Sequence, residues 1–174
     1  EEAARALERL TTSSARDYTL WFCLGNCYLS LRQYARATEC FAAVVTLQPE
    51  FTLGLEHRGL ARLCAQDYAG ACHDLDIVLE REPHCCSALV NRAIAREYLG
   101  QNEAAVQDLT SAIAAGCTAT RIYFLRSHLL AKSGDAARAD DDRREGLRRV
   151  PSDELSWIAR GVARLDDEPR AALA

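Results

Sequence analysis

Residues of the same kind return every 34 positions along this chain. Trp21, Leu55, Leu89, Tyr123 and Trp157 share one register. Gly25, Gly59, Ala93, Ser127 and Gly161 share a second, and Ala37, Ala71, Ala105 and Ala139 a third. Pro49, Pro83 and Pro151 close three units, and Cys117 stands where a fourth proline would fall. Self-similarity of this length belongs to solenoids, in which one repeat cannot bury its apolar face alone and must stack on its neighbours. The 174 residues are therefore expected to form one all-α, elongated array in which burial joins adjacent units only. Function in such an array belongs to a surface.

Each unit reads as two antiparallel helices joined by a short turn. In the unit 18–51 the helices are expected over roughly 19–31 and 34–47, and the units 52–85, 86–119 and 120–153 repeat that plan. Gly100 and Gly134 fall at the ends of first helices, where a left-handed residue is favoured, while Arg32 and Gln66 hold that place in the first two units. Asn102 and Asp135 are expected as turn or capping residues beside them. Residues 1–17 read as the second helix of a preceding unit, through about Leu10, followed by a turn from Thr11 to Asp17. Residues 154–174 read as a partial unit, with a first helix to Asp166 and the start of its partner from Asp167. Because the chain lacks methionine and both ends fall inside amphipathic segments, it reads as a piece of a longer protein.

Charge and cysteine content limit the partners. A net charge of -4 and a single lysine, Lys132, leave no basic stripe of the kind that binds a nucleic-acid backbone or an anionic membrane. The eight cysteines contain no C-x2-C pair, so the spacing of a structural zinc site is absent and no metal or cofactor is expected. Cys85 and Cys86 are adjacent and follow His84, which would suit a soft metal or a redox bridge, but small thiols in helical repeats also serve as packing residues. Free thiols in this number point to a reducing, cytoplasmic setting. Alanine and arginine enrichment suits a GC-rich, bacterial source.

From Trp21 the sequence runs W-F-C-L-G-N-C-Y, followed by Ala37, Phe41 and Pro49. In every column this resembles the tetratricopeptide repeat pattern W-x2-L-G-x2-Y, A-x3-F, P. The resemblance covers essentially the whole chain and implies a right-handed superhelical solenoid whose first helices line a concave groove. Unit 120–153 departs from the pattern, with Arg143 and Gly146 standing where Phe41 and Val44 stood. Its second helix must pack with Ala139, Leu147, Val150 and arginine stems, and is expected to be the least protected interior helix.

A second periodicity lies inside the first. Arg58, Arg92, Arg126 and Arg160 recur at 34, and Asp74, Asp108 and Asp142 follow the first three by 16 residues. In the first unit both charges vanish together, replaced by Leu24 and Cys40. Such co-absence suggests that arginine and aspartate face each other within a unit and fix helix register as ion pairs. An arginine ladder gripping an anionic ligand is the alternative.

In the family that this chain resembles, the stripe of first-helix residues between the signature positions faces the groove. Here that stripe supplies Phe22 and Asn26, then Glu56, His57 and Leu60, then Val90, Asn91, Ile94 and Tyr98, and finally Arg121, Phe124, Leu125 and His128. Aromatic and aliphatic anchors among Asn, Glu, His and Arg suit an extended peptide or helix, giving side-chain pockets and partners for a backbone. For Phe22 and Leu60, packing between units is an equal alternative. Some family members clamp a partner's C-terminal carboxylate with lysines, asparagines and an arginine. Only Asn26 and Asn91 coincide with that set, so the clamp is not expected here.

Catalytic signatures are missing: there is no phosphate-binding glycine loop, no G-x-S-x-G and no H-E-x-x-H. Glu56 and His57 are the nearest approach to an acid/base pair, yet neighbours on a helix point about 100 degrees apart. The expectation is a non-enzymatic scaffold with a protein or peptide partner. A spacer or regulatory module of a larger protein is the alternative, since N-R-A and H-R-G starts loosely resemble the repeats that follow the kinase domain of some large bacterial serine/threonine kinases. A helical-repeat RNA reader fits less well, because the period is 34 and the groove is not basic.

Overall fold

The computed structural model describes residues 1–171, with side chains through Arg164. It contains helices α1 (Glu2–Ser13), α2 (Tyr18–Ser30), α3 (Tyr34–Leu47), α4 (Thr52–Cys64) and α5 (Tyr68–Arg81). There follow α6 (Cys86–Tyr98), α7 (Asn102–Ala114), α8 (Arg121–Lys132), α9 (Ala136–Arg148) and α10 (Glu154–Ala171). There is no strand among the described residues, and none of the helices is long and apolar enough to cross a membrane. The chain divides into two compact units, Glu1–Ala95 and the part from Arg96 onward.

One turn recurs in all four hairpins. Arg32, Gln66, Gly100 and Gly134 adopt φ of 58, 67, 76 and 85°. The next residue in each case donates its amide five residues back, from Gln33 to Tyr28, Asp67 to Arg62, Gln101 to Arg96 and Asp135 to Leu130, closing the first helix. Glycine takes this conformation without steric cost, whereas Arg32 and Gln66 take it against their Cβ, held by the same hydrogen bonds. Asp67 and Asp135 then cap the second helices, accepting from the amides of Gly70 and Arg138. Asn102 does not cap: it is the first residue of α7, and its Oδ1 is buried without a partner.

In the first compact unit α1 packs on α2, α2 on α3, α3 on α4 and α4 on α5. The core between α2 and α3 is built from Leu24, Tyr28, Ala37, Cys40, Phe41 and Val44, all buried. Gly25 permits this packing, because a Cβ there would come within 2.7 Å of the Phe41 ring. α1 reaches Ser13, beyond the expected end near Leu10, because Thr11, Thr12 and Ser13 each donate a hydroxyl to the carbonyl three residues back. Tyr28 donates to Glu8, and the Arg36 guanidinium lies 4.1 Å from the Tyr28 ring centroid, tying α1 to the hairpin.

In the second compact unit α7 packs on α8, α8 on α9, and α10 on both α8 and α9. Unlike the first, this hairpin places a small residue on its second helix: a Cβ at Gly146 would come within 2.8 Å of the Phe124 ring. Val150, expected to pack, is 78 % exposed, because α9 ends at Arg148 and leaves it in the connector. α10 also departs from expectation. It runs unbroken through 167–169, where every other unit turns, with Glu168 in the register of Gly100 and Gly134. The partner helix expected from Asp167 is therefore absent through Ala171, and residues 172–174 lie outside the described residues.

Candidate partner-binding surface

The paired charges define what is already committed within each unit. Arg58 on α4 meets Asp74 on α5 through two hydrogen bonds, Nε to Oδ2 at 2.9 Å and Nη2 to Oδ1 at 2.6 Å. Arg126 on α8 meets Asp142 on α9 in the same fork, at 2.7 and 2.6 Å. Both aspartates are buried, and each bidentate pair fixes the sliding of one helix on the other. Four further contacts lie outside the pairs that the sequence suggested. Arg62 adds a bond of 2.7 Å to Asp74, and Arg96 one of 2.8 Å to Asp108. Arg92 donates to Asp76 at 2.6 Å and Arg126 to Thr110 at 3.0 Å, so the ladder arginine also grips the preceding second helix. The signal was available, because Arg62 and Arg96, and likewise Asp76 and Thr110, stand 34 apart. A cleft of about 300 Å³ between α7, α8 and α9 has Arg126 and Asp142 in its wall. Those charges satisfy each other, which argues against a ladder open to an anionic ligand there.

On the first-helix face of the first compact unit, Phe22 does not stand free. Its ring meets those of Phe41, Phe51 and His57 at centroid distances of 5.7, 5.5 and 4.8 Å. His57, on α4, also lies 5.4 Å from Phe41 and so inserts into the aromatic cluster of the preceding hairpin. Burial there holds its pKa below the ordinary value, with the Glu56 charge pulling the other way. The His57 Nδ1 is buried with no hydrogen-bond partner. On the same helix Leu53 is 41 % exposed, and Glu56 and Leu60 are half-buried.

Other candidates on this face are engaged to different degrees. Asn26 turns its amide back to the Phe22 carbonyl at 3.1 Å. Glu56 Oε2 lies 3.8 Å from the Cys85 thiol, which lies 3.4 Å from the Ser87 hydroxyl. Cys85 keeps a free thiol, so the vicinal cysteines are not bridged to each other. Cys86 is disulfide-bonded, a departure from the expectation of free thiols throughout. Asn91 and Ile94 are half-buried on α6. Val90 departs from its expected groove position: only 3 % exposed, it is a core residue of α6.

In the second compact unit the candidates scatter. Tyr98 is 65 % exposed, and His128 Nε2 lies 3.3 Å from Glu97 Oε1. The Arg121 amide donates to Ser156 on α10, while its Nε is buried without a partner. Leu125 is half-buried. Phe124, expected as a groove anchor, instead seats its ring over Gly146 and packs the hairpin.

Residues 18–51 match the family model of the tetratricopeptide repeat. The whole chain is similar in fold to solved structures of helical-repeat proteins. MamA (41-end) from Desulfovibrio magneticus RS-1 superposes with a TM-score of 0.80 at 20 % identity, over 84 % of this chain and 83 % of that one. A tetratricopeptide repeat protein from Parabacteroides merdae ATCC 43184 gives 0.78 at 22 % identity, over 99 % of this chain and 68 % of that one. At these identities the likeness speaks for the fold.

Proposed function

We propose that this tetratricopeptide-repeat chain is a protein-interaction scaffold that takes a peptide or partner segment on the face formed by its first helices α2, α4 and α6. The observation that carries this reading is the His57 neighbourhood. A buried ring nitrogen without a partner sits on an aromatic floor, with exposed Leu53 four residues before it on α4 and a Glu56 charge that pulls its pKa upward. An extended segment needs an apolar anchor point and a small number of polar groups that fix its orientation, and this face offers both. Phe22 belongs to the floor rather than to the contact, since three rings enclose it.

The test is selection of peptides from a random library on the intact chain, followed by titration of the winners against a Glu56→Ala, Leu60→Ala, Asn91→Ala variant of unchanged helicity. The proposal expects the variant to lose about tenfold or more in affinity, the loss of one or two well-placed contacts. Winners that bind both forms equally would place recognition elsewhere and overturn it.

A further inference from the structure

The first-helix face of the first compact unit is nearly empty of charge, and the charges it does hold are committed unevenly. Helix α2 contains no Asp, Glu, Lys, Arg or His between Tyr18 and Ser30. On α4 the two cations turn away to α5, with Arg58 bonded to Asp74 at 2.9 and 2.6 Å and Arg62 to the same carboxylate at 2.7 Å. Arg92, on α6, donates to Asp76 at 2.6 Å. His57 is held below its ordinary pKa by burial, so at neutral pH it adds no positive charge. Every arginine near this face is therefore spent on an aspartate.

Glu56 is the exception. Its Oε2 accepts from the Cys85 thiol at 3.8 Å, and it enters no ion pair among the described residues. A thiol is a weak, neutral donor, whereas a carboxylate has about four lone-pair sites to satisfy. Half-buried, Glu56 has already given up part of its hydration without gaining a cation in return. Leu53, Glu56 and Leu60 stand at i, i+3 and i+7 on α4, so the carboxylate is bracketed by two leucines along one face of the helix.

Resting on the reading that a partner segment lies on this face, we infer that the segment carries an arginine or lysine side chain that pairs with Glu56, between apolar side chains that meet Leu53 and Leu60. Charge complementarity sets the sign. A cation would gain a charge-assisted hydrogen bond to a carboxylate that now has only a thiol. An acidic segment would meet that carboxylate with no uncommitted arginine to offset it, on a chain whose net charge is already -4.

The probe is a random-peptide library selected on the intact chain. Winners are titrated against Glu56→Gln, which keeps the side chain's size and removes its charge, and against Leu60→Ala, Asn91→Ala, each checked for unchanged helicity. Winners are expected to carry a basic residue, to lose affinity on Leu60→Ala, Asn91→Ala, and to bind Glu56→Gln about tenfold or more weakly, as for loss of a charge-assisted pair. Replacing the basic residue of a winner by glutamine should weaken binding to the unaltered chain by the same factor and leave binding to Glu56→Gln unchanged. Selection on a Glu56→Lys chain should return acidic residues in its place. Winners that need Leu60 and Asn91 yet bind Glu56→Gln as tightly as the unaltered chain would overturn the pairing and leave the surface reading standing. Winners indifferent to all three positions, or no winners at all, would overturn both.

Discussion

The hairpins α2–α3 and α8–α9 are built on the same 34-residue plan, yet they lock with opposite parts. In the first, a phenylalanine from the second helix, Phe41, fills the space over a glycine of the first, Gly25. In the other, a phenylalanine from the first helix, Phe124, fills the space over a glycine of the second, Gly146. The register device differs as well. Leu24 and Cys40 are neutral residues buried in one core cluster, and burial pushes the Cys40 thiol up to about 11, so it stays protonated. Arg126 and Asp142 occupy the same positions as a forked ion pair. These two hairpins each set one ring over one gap and match one pair, whichever helix supplies the ring and whether or not the pair is charged, while in α4–α5 the side chain at the gap of Gly59 is Leu75.

The largest separation between the two hairpins should come from truncating the rings. Phe41 is fully buried, so Phe41→Ala is expected to cost about 3–5 kcal/mol, while the half-buried Phe124 should cost about 1–3 kcal/mol when truncated. Urea unfolding of both variants measures this. Equal costs would mean that the second-unit hairpin depends on its ring as much as the first. Next in size is the ion pair. Asp142→Asn leaves Arg126 without its carboxylate and should cost about 3 kcal/mol, the lower edge for breaking a buried pair. Asp74→Asn should cost more, because Arg58 and Arg62 both lose their partner.

A smaller effect separates the second helices in native-state hydrogen exchange. Amides of α9 should exchange faster than those of α3. Its buried positions are Ala139, Asp142 and Gly146, where α3 has Ala37, Cys40, Phe41 and Val44. The smallest effect is titration of His57. Its folded pKa lies below the ordinary 6.5, so the unfolded chain takes up the proton first as pH falls. The stability this group contributes is present above about pH 6.5 and is lost as pH drops through the folded value. His57→Gln should flatten the slope of stability between pH 7 and pH 5, and an unchanged slope would show that the ring is not desolvated as its contacts imply.

The period made most of the fold legible. Signature residues mark where helices pack, and the four left-handed turns fall where Arg32, Gln66, Gly100 and Gly134 align. The pairs Arg58 with Asp74 and Arg126 with Asp142 were legible for the same reason, since their residue types appear and disappear together along the period. What could not be read was the direction of individual rings. Phe124 sits in the groove stripe by number, but whether it faces a ligand or its own hairpin depends on the volume left at Gly146, which lies 22 residues away. Val90 fails similarly, because stripe position alone cannot report how closely neighbouring helices approach. The unbroken α10 was not legible, because Arg32 and Gln66 turn in the register of Glu168 without glycine.

In this fold the neutral and charged pairs act as interchangeable register devices. This equivalence is tested most directly by transplanting one into the other's place, with unfolding measured for Leu24→Arg, Cys40→Asp and the double variant. Each single change buries an unpaired charge and should be strongly destabilising. The double variant should recover much of that loss, with a coupling of about 1–3 kcal/mol. Additive losses would contradict it, showing that the first hairpin depends on Leu24 and Cys40 as core residues and that the ion pair is not equivalent to them.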